Sequence, residues 1–382
     1  MKRLLALILA LCIILSFSTI AHAQDIKQTS LEHILQNWIA CQYDEDVEID
    51  NIVPLYNYDH ANVGHLITFQ KAGSPAGYIV LSHLESEHPI IEYALDGENV
   101  YSYLKEQLSQ SNKEISSKDQ SESGRNKASI YSIAKENILY TDFINYSLLV
   151  KNDDEVLLFN QNKETRGFTE NKNVESRSPL ADTFYDGYYD LPPETVTYSQ
   201  DNIPGAGSTS MLIMGNMPGV TSGEGNCGPT SLANTVKLYA ENGLNSHAAI
   251  PGLRKNGSDT ETYTRLKELS GYSCADPATM SELLNGLRSY STEMGYSCSI
   301  NNYLTDAWSD FTRDILNDKP ILLYTSSSAG TAHAQVVVGY RLYTNNAKYL
   351  RVFTGWSGNA TFVKFKPSSL NNFNGYCVSI SS

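Results

Sequence analysis

Hydrophobic spacing changes period along this chain. Near the start, Leu31, Ile34, Leu35, Trp38 and Ile39 recur at three- and four-residue steps, which predicts a helix over 31–39. Val63–Gln70 and Gly77–Leu81 alternate as strands do, around a turn at Gly73-Ser74-Pro75. Together they predict a small α/β unit over residues 24–104. Residues 108–128 hold almost no apolar side chain and are expected to be a solvated linker or a long exposed loop. Apolar runs return over 130–168, notably Ser147–Val150 and Val156–Phe159. Residues 169–207 are again polar and turn-rich, the natural place for a proteolytic nick.

Beyond residue 205 the pattern tightens. Leu232, Val236, Tyr239 and Ala240 share one face of a predicted helix, Ser231–Glu241, with Pro229 in its first turn and Asn242-Gly243 at its end. Pro277–Met294 and Thr305–Asn317 predict two more helices, the latter with Trp308, Phe311, Ile315 and Leu316 inward. The period then drops from 3.6 to 2. Pro320–Thr325, Ala332–Leu342, Tyr349–Thr354, Thr361–Phe365 and Tyr376–Ile380 read as strands, with a hairpin turn at Asn345-Asn346. Helices first and an antiparallel sheet after make an α+β layout.

The first 23 residues have another purpose. Lys2 and Arg3 precede an uncharged apolar run, Leu4–Phe17, and Ala21-His22-Ala23 is a small-x-small cleavage site. A secretory signal over 1–23 is expected, with the mature chain starting at Gln24 and released outside the cell. Leu11 before Cys12 is too large for a lipoprotein site. No other run approaches the roughly 18 apolar residues that span a bilayer. The remaining 359 or so residues are enough for about two domains. The net charge is −14, yet residues 205–382 hold 13 Lys+Arg against 12 Asp+Glu, so the acidic excess lies wholly before residue 205. That is either a solubilising surface or a segment that covers the second half and later leaves it. No basic stripe exists, which argues against a nucleic-acid partner.

Five cysteines follow the signal: Cys41, Cys227, Cys274, Cys298 and Cys377. An odd number outside the cell leaves at least one thiol unpaired. Cys274 and Cys298 could bridge, or both could be buried thiols. There is no CxxC pair and there are only two histidines in the second half, so no metal or other cofactor is called for. Cys227 stands where a Gly-rich loop, GEGN, meets the helix. Exposed N–H groups and the positive end of the helix favour a thiolate there, and Gly228 leaves those groups open for a developing oxyanion. The base must come from His247 or His333. His247 sits at the far end of the same helix, roughly 15 Å or more away at 1.5 Å per residue. His333 opens an apolar strand, with Gly330 and Ala332 leaving room around it. After His333 there is no Asp or Glu. The group that orients its ring must therefore be Thr354, Asn359, Asn345, Asn346, a backbone carbonyl, or nothing. Thr354 ends a strand just before Gly355-Trp356, and Trp356 could shield the contact from water.

Three stretches carry a resemblance: NCGPTSLANTVKLYAENG around Cys227, AHAQVVVGYR around His333, and RVFTGWSG. With them the second half resembles the papain-like cysteine peptidases of bacteria, in the C39-like and streptopain-like branches. The resemblance implies a papain-like catalytic domain over 205–382, with Cys227 as nucleophile, His333 as base and Thr354 in the orienting position, where the family has Asp or Asn. The family's oxyanion glutamine has no clear equivalent; Asn216 and Asn226 are the nearest amides. In the first half, the stretch HLITFQKAGSPAGYIVLSHLESEHPIIEYALDGE is similar to the streptopain-type propeptide. It implies an acidic pro-region over 24–204, compact to about 168 with a processing linker over 169–204, acting as an intramolecular inhibitor. The expected activity is hydrolysis of a polypeptide substrate by an endopeptidase made as an inactive precursor. The alternatives are a cell-wall peptide amidase with the same chemistry and a papain-fold binding protein without catalysis.

Overall fold

The computed structural model describes residues 35–36, 38–40, 42–43, 46–85, 89–97, 99–121, 131–152, 155–160, 165–168, 198–218, 226–245, 247–272, 278–303, 308–328, 330–344, 346–368 and 370–381. The signal segment, Cys41, Cys274, most of the expected 169–204 linker and the GEG loop before Asn226 lie outside them.

In the first half, strands β1 (Glu48–Tyr56), β2 (Asn62–Lys71), β3 (Ser74–Ser82) and β4 (Ile90–Ala94) form antiparallel neighbours. Ala72 and Gly73, with φ of 49° and 77°, make the tight β2–β3 turn, slightly ahead of the position expected from sequence. Helix α1 (Val100–Ser121) follows, then β5 (Ser132–Ile133), β6 (Leu139–Thr141), β7 (Tyr146–Asn152), β8 (Glu155–Asn160) and β9 (Thr165–Gly167). α1 corrects the expected linker over 108–128, because 108–121 are helical. Val100, Tyr101, Leu104 and Leu108 form a buried stripe against β1–β4 and β6–β8, and the polar remainder extends that anchored start.

The second half begins with β10 (Tyr198–Asn202), followed by helices α2 (Cys227–Glu241), α3 (Asp259–Leu269) and α4 (Met280–Glu293). Strand β11 (Ser297–Tyr303), helix α5 (Trp308–Leu316) and strands β12 (Ile321–Ser327), β13 (Ala332–Tyr343), β14 (Lys348–Phe353), β15 (Thr361–Lys364) and β16 (Leu370–Ser381) complete it. β13 lies between β12 and β14, both antiparallel to it, and its residues 333–339 are buried without alternation because α2 covers one face. α2–α5 and β12–β14 enclose the largest core, with Leu232, Val236, Tyr239, Leu287, Val336 and Val338 at its centre. Phe311 and Ile315 of α5 point into it as expected, but Leu316 is 59% exposed.

The fold is thus mixed α/β, and one continuous ladder crosses both halves. β15 pairs with β4 through Phe362–Tyr93 and Val363–Glu92. Around that junction Trp38, Phe69, Tyr93, Tyr349 and Phe362 share one aromatic cluster.

Candidate active site

Cys227 begins α2, and its thiol is half-buried. Burial pushes the thiol pKa up, while the backbone N–H groups of Ala334, Gly228 and Cys227 itself pull it back. Two of those donors belong to the open first turn of the helix, where N–H groups lack intrahelical partners. The third comes from β13, one residue past His333, so the helix start and the strand meet at the sulfur. A Cβ on Gly228 would lie 2.7 Å from the Leu283 side chain of α4, which would have to shift to admit it.

His333 is 2% exposed, and Thr325 of β12 lies opposite it in register. Its Nε2 is 2.8 Å from the backbone oxygen of Thr354. A carbonyl only accepts, so Nε2 carries the hydrogen and Nδ1 keeps its lone pair. The indole of Trp356 stacks on the ring at 4.5 Å and 7°. Desolvation lowers the His333 pKa to about 4, so the imidazole is neutral at neutral pH. With the thiol raised and the imidazole lowered, both groups are uncharged in this form.

Thr354 therefore meets His333 through its carbonyl. Its hydroxyl accepts instead from the Trp356 N–H at 3.3 Å. The carbonyl is held in place by a chain of contacts. Asn226 donates from Nδ2 to the Met214 oxygen at 2.9 Å, and the Met214 N–H donates to the Gly355 oxygen at 2.9 Å. Gly355 has φ +80°, and a Cβ on it would meet Met214 at 3.0 Å. The residue before Cys227 is thus tied, through the short turn Met214–Asn216, to the residue after Thr354. Nothing in the sequence marks Met214 for this task.

The other candidates fall elsewhere. His247 is exposed beyond the far end of α2. Asn226 is 1% exposed with its amide committed to Met214 and to the Tyr263 hydroxyl, whereas Asn216 is exposed. Asn346 closes the β13–β14 turn at φ 69°, and Asn345 lies outside the described residues. Asn359 sits in the loop after Trp356 and its N–H binds the Ser357 hydroxyl. Cys298 and Cys377 are free thiols. No helix among the described residues is long and apolar enough to cross a membrane.

Residues 199–364 match the Peptidase_C39 like family. The match spans Cys227, His333 and Thr354, and the resemblance drawn from their motifs holds over this stretch. Among solved structures, a mutant prointerpain A fragment of Prevotella intermedia, residues 39–359, aligns with 86% of this chain and 98% of its own at 12% identity and a TM-score of 0.32. No curated protein matches the chain.

Proposed function

We propose that this chain is the precursor of a secreted cysteine endopeptidase. The observation that carries the reading is that Cys227 opens a helix packed on β13, the strand whose His333 ring is held by the Thr354 oxygen and stacked under Trp356. The family match over 199–364 supports a peptidase. Nδ1 of His333 takes the thiol proton, and the sulfur attacks the peptide carbonyl carbon. The oxyanion that forms is stabilised by the N–H groups at the start of α2. His333 then protonates the leaving amine, and water, deprotonated by the same nitrogen, releases the acid from the acyl-enzyme. The Thr354 carbonyl, hydrogen-bonded to Nε2, favours the imidazolium that forms between these steps.

Residues 24–204 are the pro-region of this reading, cut within 169–204, and residues 1–23 direct export. The neutral thiol and imidazole suit a latent form whose pair ionises once the covering half departs and water enters. A thiol-reactive epoxide should label mature protein at Cys227 and leave Cys227→Ala unlabelled. His333→Ala should reduce labelling at least about a hundredfold, the range expected for loss of a general base. Self-processing should vanish in Cys227→Ala. Labelling of mature protein that is indifferent to His333 would remove the catalytic pair.

A further inference from the structure

A cavity of about 400 Å³ opens between the two halves, beside the His333–Trp356 stack. α1 lines it with Tyr103, Glu106 and Gln107, β4 with Glu92, and the second half with Asn216 and Trp356. Its chemistry is one-sided, since carboxyl, amide and phenol groups face it and, among the described residues, no lysine, arginine or histidine does. Two acceptors in it are unmet. Gln107 is 3% exposed, yet its Oε1 has no hydrogen-bond partner, and neither does the buried hydroxyl of Tyr103. Both oxygens abut the Gly215 backbone, 3.0–3.1 Å from where a Cβ would stand, so the turn beside them supplies contact but no donor. A buried acceptor without a donor is unfavourable, and a guest with several N–H groups would relieve it once the Gln107 amide turns from Gly215 toward the open space. Trp356, Tyr103 and Tyr146 add ring surface to the same walls, and ring faces attract cations.

We propose that this cavity binds an organic ammonium group, either that of a small free amine or that of a lysine side chain. Its N–H groups would meet the Glu92 carboxylate and, after rotation of the side chain into the space, Gln107 Oε1, and its carbons would lie against Trp356 and the tyrosines. Because both halves build the walls, the guest would favour the joined arrangement over the separated one by mass action. The proposal stands independently of the chemistry at Cys227. Glu92 is held neutral up to about pH 7 by burial, and Tyr78 of β3 and Tyr146 of β7 face it as uncharged phenols. Among the described residues Glu106 of α1 is the other carboxyl on the cavity, and the second half brings no titratable group to its walls. Binding should therefore tighten as pH rises through 7.

The test is calorimetric titration of the full chain, as Cys227→Ala to keep the halves joined. The probes are n-butylammonium, Nα-acetyl-lysine N-methylamide and neutral n-pentanol. One saturable site for an ammonium probe, tenfold or more weaker in Glu92→Gln and absent for pentanol, supports the proposal. Binding of the lysine derivative would assign a peptide side chain as the guest, and binding of butylammonium alone a free amine. Gln107→Leu keeps the packed volume, and it should also weaken binding if Glu92→Gln disturbs the fold. Overturning results are no saturable heat below roughly 10 mM, weaker than ordinary small-ligand affinity, or pentanol binding as well as the amines. Affinity unchanged in both variants would overturn it equally.

Discussion

The seam between the two halves is built differently at its two ends. At one end Tyr93 stacks on Phe362 at 4.8 Å and meets the edges of Trp38 at 5.5 Å and Tyr349 at 5.2 Å, and all of these rings are buried. The polar groups there are paired: Tyr93 with the Tyr343 hydroxyl and Tyr349 with the Ile90 oxygen, both at 2.9 Å, and Arg341, which lies over the Phe362 ring, with Gln42 at 3.0 Å. At the other end, beside His333, the halves meet through Asp142 with Ser327 and Thr331 and across a cavity. Water can replace hydrogen bonds one for one, but it cannot replace ring contacts. The aromatic end therefore anchors the first half, and separation should begin next to the site.

Tyr93→Ala should have the largest effect. Deleting a fully buried aromatic side chain typically costs about 3–5 kcal/mol. The urea midpoint of the Cys227→Ala chain should fall accordingly. A loss below about 1 kcal/mol, the size of a surface change, would mean that the rings do not anchor the seam.

The next effect is pH-dependent and sets seam against site. Glu92 has its pKa raised from 4.5 to about 7 by burial. Below pH 4.5 it is protonated whether the chain is folded or not, and nothing is lost. As pH climbs from 4.5 to 7 the unfolded chain gives up the proton while the folded one keeps it, so stability falls, by on the order of 3 kcal/mol at about 1.4 kcal/mol per unit. His333 has the opposite sign. Its pKa is lowered to about 4 by burial, so stability falls as pH drops from 6.5 toward 4, where the unfolded ring takes a proton that the folded one refuses. Glu92→Gln should flatten the alkaline limb of a stability–pH curve and leave the acid limb intact. If both limbs change together, the two groups do not act separately.

The elements visible in the sequence are those whose apolar positions face a core within their own half. The second half of α2 is legible from Leu232, Val236 and Tyr239, because each packs into one core. The end of α1 is not legible. Its stripe stops at Leu108 and polar residues continue the helix from an anchored start. α3 escapes for a related reason: it buries only Thr262, Tyr263 and Leu266, too short an apolar stripe to mark a helix, although it begins on a serine cap, Ser258. β11 alternates without hydrophobic contrast. The two-residue β4–β15 pairing joins segments far apart in the chain, and no local pattern encodes such a meeting. At the site, the helix start at Cys227 and the strand start at His333 have local signatures. The ring's partner does not, since a backbone carbonyl is chosen by the turn at Gly355 and by Met214, not by residue type.

The smallest effect expected is at the end of the seam nearest His333. Asp142 accepts through Oδ1 from the N–H groups of Ile144 and Asn145, which fixes its own turn, and through Oδ2 from the Ser327 and Thr331 hydroxyls. Those hydroxyls flank the β12–β13 turn, with Thr331 immediately before Ala332-His333. Asp142→Asn can retain the Oδ1 contacts. Its amide replaces a charged acceptor with a donor, and the hydroxyls can rotate to accept from it. The loss is then a charge-assisted bond turned into a neutral one, about 1 kcal/mol. Global stability should hardly move, but amide exchange over Ser327–Ala332 should quicken about fivefold, the kinetic equivalent of that energy. Exchange at Ile79 and Tyr93, in the aromatic end, should stay unchanged. Equal acceleration at both ends would show a seam that opens as one unit, and the contrast between its ends would then carry no consequence for release.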